Sequence, residues 1–68
     1  MAGYYVNKRE QASGDHEVHR EGCPYLPAAS NRLYLGQFPS CAPAVQAARQ
    51  FYAQPDGCYY CSPLCNNG

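Results

Sequence analysis

Hydrophobic and polar residues alternate from Tyr4 to Lys8 on a β-prone background, which predicts a short strand. Gln11-Ala12-Ser13-Gly14-Asp15 then breaks the chain with turn-forming residues. His16 to Arg20 predicts a second strand with Val18 pointing inward, so the first twenty residues read as an antiparallel hairpin. Glu21 to Asn31 is irregular, with Gly22, Pro24 and Pro27. Arg32 to Leu35 predicts a third strand, stopped by Gly36. The period then changes. Cys41, Val45, Ala48 and Tyr52 recur at helical spacing, with Ala44 and Phe51 beside them and Gln46, Arg49 and Gln50 on a polar face. Ser40 is the expected N-cap, Pro43 is tolerable in the first turn, and Gln54-Pro55-Asp56-Gly57 ends the helix. The prediction is one helix over about 40–53 and a sheet of two or three antiparallel strands, an α+β fold.

The chain has 68 residues, so this is one small domain, read as 1–65 with a frayed tail at 66–68. Aliphatic core candidates are few: Val6, Val18, Leu26, Leu33, Leu35, Val45 and Leu64. Seven tyrosines and two phenylalanines must supply much of the remaining core. Ordering such a chain costs on the order of 100 kcal/mol, and domains this short commonly need a disulfide or a structural metal as a staple.

Five cysteines cannot all pair within one chain. Two short pairs stand out, His19-x3-Cys23 and Cys58-x2-Cys61. A Cys-x2-Cys turn presents two thiolates on one side of a tight loop, and a His and a Cys four apart where a strand breaks at Gly22 can converge in the same way. Together they make a closed Cys3His set, which predicts a structural Zn2+ site formed by His19, Cys23, Cys58 and Cys61. With no open position for water, such a site is structural rather than hydrolytic.

These residues resemble the Ada metal-binding-like modules, small zinc domains associated with DNA-alkylation repair. The shared pattern is His/Cys-x3-Cys, a stretch of small strands with an Ala-containing helix, then Cys-x2-Cys. It covers about residues 17 to 63, with the helix Cys41 to Ala53 between the pairs. The run Gly57-Cys58-Tyr59-Tyr60-Cys61-Ser62-Pro63-Leu64-Cys65 is also similar to the ends of small bacterial Cys-rich proteins. The resemblance implies the metal site. It does not bring the repair chemistry, because the position of the family's methyl-accepting cysteine is His19, whose imidazole is a poor alkyl acceptor once its lone pair is on a metal.

Other residues have plainer uses. Cys65 is expected as a spare thiol near the site, although it could replace a ligand. Cys41 falls on the apolar helix face as a small buried hydrophobe, its alternatives being a disulfide with Cys65 or a reactive thiol at the helix N-terminus. His16 and His19, three apart on a strand, should face opposite sides, so His16 is expected at the surface. The tyrosines are expected in the core and in cross-strand pairs, with base stacking as the alternative.

Charge narrows the functional classes. Lys+Arg and Asp+Glu are five each, so a strong non-specific nucleic-acid binder is not expected, and neither is an electrostatically held membrane protein. No apolar run approaches the ~20 residues of a membrane span. Met1 to Arg9 lacks a basic start followed by a long apolar stretch, so a cytoplasmic address is expected. No catalytic constellation emerges, and the chain reads as a non-catalytic zinc-binding interaction module whose partner is another protein. The alternatives are a disulfide-stapled or thiol-reactive small protein and a weak nucleic-acid-binding module.

Overall fold

Ala2, Tyr4 and Val6 alternate with Gly3, Tyr5 and Asn7 along β1 (Ala2–Asn7), and this period of two gives the strand one apolar side. In the computed structural model, which describes residues 1–67, that side faces the single helix. Strand β2 (His16–Arg20) pairs antiparallel with β1, Val6 opposite Val18 and Tyr5 opposite His19. Strand β3 (Arg32–Phe38) pairs antiparallel with the other edge of β1. A fourth strand, β4 (Pro55–Gly57), joins β2 in parallel and completes a mixed sheet of order β3-β1-β2-β4.

Two expectations about the sheet are corrected. Strand β3 runs through Gly36 rather than stopping there. Its register shifts opposite Tyr4 and Tyr5, with Leu35 as the extra residue and Gly36 at φ 121°. Glycine adopts that positive φ without steric cost, so the residue that reads as a stop is the hinge of a β-bulge. The bulge changes the parity of the strand, which lets Leu33, Leu35 and Phe38 all pack on the core. The sheet also has four strands rather than two or three. Pro-Asp-Gly is turn chemistry, yet Pro55 opens an edge strand, where its missing N–H breaks no interior ladder.

The helix α1 spans Cys41–Ala48, shorter than the expected 40–53. Beyond Ala48 the bonds tighten to Arg49 N–H to Gln46 O, Gln50 N–H to Ala47 O and Phe51 N–H to Ala48 O. Arg49, Gln50 and Phe51 are exposed, so this last stretch gains little from packing. Ser40 is extended at the N-cap position but makes no side-chain capping bond. Ala44 and Ala48 are fully buried, and side chains this small bring the helix close to the sheet.

The core holds Ala2, Tyr4, Val6, Val18, Cys41, Ala44 and Ala48, with Leu33, Leu35, Phe38, Val45, Tyr52 and Cys65 packed against it. Leu64 is 97% exposed and Phe51 56%, so neither supplies core. A disulfide joins Cys41, at the start of α1, to Cys65 in a short 3-10 turn at Pro63–Cys65. Cys65 is therefore neither a spare thiol nor a replacement ligand. His16 is half-buried rather than on the surface: its ring stacks on Tyr52 at 3.8 Å between centroids, and its Nδ1 donates to the Asn7 carbonyl. In the tail, the Asn66 side-chain amide donates to the Gly57 carbonyl and the Asn67 backbone amide to Asp56 Oδ1, so neither residue is a free end. Gly68, the last residue of the expected frayed tail, lies outside the described residues.

Candidate metal centre

The parallel pairing of β2 and β4 builds the site. Val18 is paired with Gly57, and the Cys58 amide donates to the Val18 carbonyl. The next residues along, His19 and Cys58, therefore stand beside each other at the same end of the two strands. On β2 the alternation that sends Val18 into the core sends Glu17 and His19 to the opposite face. After Arg20 the chain turns through Gly22, at φ 81°, with the Cys23 amide donating to the Arg20 carbonyl, and this turn returns the Cys23 thiol toward His19. After Cys58 a second turn, closed by the Ser62 amide on the Cys58 carbonyl, brings Cys61 to the same point.

The His19, Cys23, Cys58 and Cys61 ligand atoms all lie within 4.8 Å of one another. Cys23 Sγ is 3.6 Å from His19 Nδ1, Cys61 Sγ is 3.9 Å from the same nitrogen, and Cys23 Sγ is 4.0 Å from Cys58 Sγ. A tetrahedral ion with metal–sulfur bonds of about 2.3 Å and a metal–nitrogen bond of about 2.0–2.1 Å requires edges of roughly 3.8 Å between sulfurs and roughly 3.6 Å from sulfur to nitrogen. These three distances are close to those edges, and the whole set stays within 4.8 Å. The four residues singled out by spacing are thus brought together, and all but the half-buried Cys61 are buried.

The surroundings suit ligands to a cation. The Arg20 backbone amide donates to Cys61 Sγ at 3.2 Å, a bond that favours negative charge on that sulfur. His19 is 1% exposed, and its Nε2 has no hydrogen-bond partner although it lies 3.5 Å from Glu17 Oε1. With Nδ1 turned to the sulfurs, Nε2 is left to carry the proton, and the carboxylate beside it is of the kind that commonly supports a metal-bound imidazole. Burial lowers the His19 pKa from its ordinary value, outweighing the upward pull of Glu17, so the ring is neutral and its lone pair is free. Burial pushes the Cys23 thiol up to about 12, with the Cys61 side chain adding to it, and burial also raises Cys58 against the opposing backbone bonds from Cys61 and Tyr60. Without a cation these thiols hold their protons. A cation must displace them to bind.

Sequence reasoning missed Glu17. The period of two on β2 could have found it, since Glu17 lies two residues from His19 and shares its face. It also ranked the Cys41–Cys65 bridge below the alternatives, because nothing local joins residues 24 apart. Among the described residues, no helix is long and apolar enough to cross a membrane. No family model, curated protein or solved structure matches the chain.

Proposed function

We propose that this chain is a small Zn2+-binding domain whose Cys3His site is structural, and that it serves as a non-catalytic module for binding another protein. The observation that carries the reading is the convergence of His19 Nδ1 and three thiols, from strand β2 and the two turns beside it, within 4.8 Å of one another. Three sulfurs and one imidazole favour zinc over magnesium or calcium, which take oxygen ligands. A closed set of four leaves no position for a reacting water. The resemblance to Ada metal-binding-like modules points the same way, and His19 in place of a methyl-accepting thiol argues against alkyl transfer. A cytoplasmic address belongs to the same proposal. There a bound metal would protect the three site thiols, while the Cys41–Cys65 bridge would have to resist the glutathione pool.

Native mass spectrometry of chain purified under reducing conditions tests the metal. One zinc per chain, lost on chelation together with the folded charge states, is the expected result. A metal-free folded chain would overturn the reading. A second reading, a disulfide-stapled thiol protein, draws on the Cys41–Cys65 bridge. It requires a fold that withstands chelation and collapses on reduction.

A further inference from the structure

We propose that the cleft walled by Tyr25, Tyr59 and Tyr60 over Glu17 receives the methylated ammonium head of a lysine side chain from a partner protein. The inference rests on the reading of the chain as a metal-stapled interaction module and names what that module would bind. The cleft measures about 360 Å³ and is bordered by Glu17, Tyr25, Cys58, Tyr59 and Tyr60. That is near the lower end of the ~300–1,000 Å³ typical of ligand sites.

Its walls come from both turns that build the metal centre. Tyr25 follows Cys23, and Tyr59 and Tyr60 lie between Cys58 and Cys61. Tyr25 and Tyr60 meet edge to face, at 73° and 5.4 Å between centroids, and form a corner rather than a parallel slot. All three rings are mostly exposed, Tyr59 at 79%. Three large aromatic side chains converging at the surface of so small a domain contribute little to its core, and such exposed patches commonly mark interaction sites.

Aromatic faces are negative and attract cations, most strongly cations with little hydration to lose, such as methylated ammonium groups. Glu17 adds a carboxylate, and no Lys or Arg lines the cleft. Cys58 borders it as well. With a divalent ion on three thiolates the centre would carry a net charge of −1 beside Cys58, adding to the Glu17 carboxylate. A nucleic acid would instead need a basic track for its phosphates and a parallel slot for a base. The rims stand open. A head group can enter while its stem and the flanking polypeptide remain outside, which suits a side chain better than a free solute.

The test uses the full chain with its metal content measured in every sample. A short Gly/Ser peptide carrying Nε-trimethyllysine is titrated while tyrosine ring signals are followed by NMR. The same peptide with unmodified lysine, the same peptide with a neutral tert-butyl isostere, choline chloride and a single-stranded oligonucleotide are titrated alongside. The methylated peptide is expected to move the Tyr25, Tyr59 and Tyr60 signals and to bind roughly tenfold more tightly than the neutral isostere. Tyr25→Ala and Tyr59→Ala should each lose roughly tenfold, while Tyr34→Ala, elsewhere on the sheet, should bind as the parent does. Equal binding of the neutral isostere, choline binding as tightly as the peptide, tyrosine shifts driven by the oligonucleotide, or no response from a metal-loaded chain would each overturn the inference. A chain that takes up no metal yet binds the methylated peptide would overturn the metal reading and leave this one standing.

Discussion

Val18 and Gly57 are paired in register across the parallel strands β2 and β4, and this pair sets His19 beside Cys58. The candidate metal centre therefore depends on a residue with no side chain. A Cβ on Gly57 would lie 2.6 Å from the Cys65 Cβ and 2.6 Å from the Ser62 carbonyl oxygen. Ser62 closes the turn that carries the C-terminal ligands, Cys65 lies in the 3-10 turn that follows it, and neither contact is a flexible side-chain tip. Gly57→Ala is expected to cost about 1–3 kcal/mol through overpacking and to weaken metal binding with it. Denaturant midpoints and metal competition on the same preparation check this, and a parent-like variant would mean that the turn yields freely.

Substitutions at the ligands should separate by chemistry rather than by position. Cys23→Ser and Cys58→Ser remove a thiolate and should abolish binding under equimolar zinc, with loss of the fold. His19→Cys supplies a fourth thiolate and should keep the metal. Since structural zinc contributes roughly 10–16 kcal/mol of apparent binding free energy, chelating the parent should unfold most of it. Circular dichroism with and without chelator, together with the absorption of the Co2+-substituted chain, reads both effects. Parent-like metal uptake by Cys58→Ser would remove that residue from the ligand set.

Glu17→Gln should act on the metal without touching it. Replacing the carboxylate 3.5 Å from His19 Nε2 with an amide lowers the basicity of the ring, and supporting partners of this kind are typically worth 10–100-fold in affinity. Zinc competition against a chromogenic chelator measures it. An unchanged affinity would show that the 3.5 Å contact gives the imidazole no support.

The pH dependence of the stripped chain differs from that of the loaded one. His19 has its folded pKa below 6.5, so its neutral form contributes stability fully above pH 6.5, and that contribution is lost as pH falls through the folded value. Cys23 and Cys58 have folded values above 9.0, so their contribution is full below pH 9 and is lost as pH rises, toward about 12 for Cys23. The fraction of the stripped chain that sucrose keeps folded should thus be most stable between about pH 6.5 and 9. In the loaded chain the thiols are already ionised. The alkaline loss should disappear, and the acid loss should steepen as protons compete for every ligand. Denaturation midpoints across pH for both forms check this, and coincident alkaline limbs would count against thiolate ligation.

The Cys41–Cys65 bridge should stabilise the domain independently of the metal. A bridge between residues 24 apart constrains the unfolded chain by about 3 kcal/mol. The double variant Cys41→Ala/Cys65→Ala should lose that amount yet retain its metal, because neither sulfur belongs to the centre. Loss of metal on bridge removal would show that the two staples are coupled through the Ser62–Cys65 turn.

The site was more legible than the sheet that builds it. His19-x3-Cys23 and Cys58-x2-Cys61 are local spacings, and the turns that make them useful are written in the same few residues. Strand β2 was legible for a similar reason, since Val18 alternates with polar neighbours. Strand β4 was not: Pro55-Asp56-Gly57 has the chemistry of a turn and becomes a strand only because β2 offers an edge. Gly36 misled in the opposite way, as a bulge is indistinguishable from a stop until the partner strand is known. The helix was placed correctly at its start and read five residues too long at its end. Tyr52 keeps the helical period and its amide still donates to the Ala48 carbonyl, while its ring stacks on His16. The disulfide was the least legible, because it joins two elements whose proximity depends on the whole fold.

Both staples close on one short stretch, since Cys58, Cys61 and Cys65 all lie within residues 58–65. A chain is synthesised from its N-terminus, so the sheet and helix residues emerge before anything can lock them together. Until that stretch appears, His19, Cys23 and Cys41 have no mates, and a proteolytic cut before Cys58 would leave the C-terminal segment held covalently only through the Cys41–Cys65 bridge. The domain is in effect a latch fastened last, so the proposed metal and the thiol redox state would both act on the nascent protein at that one moment.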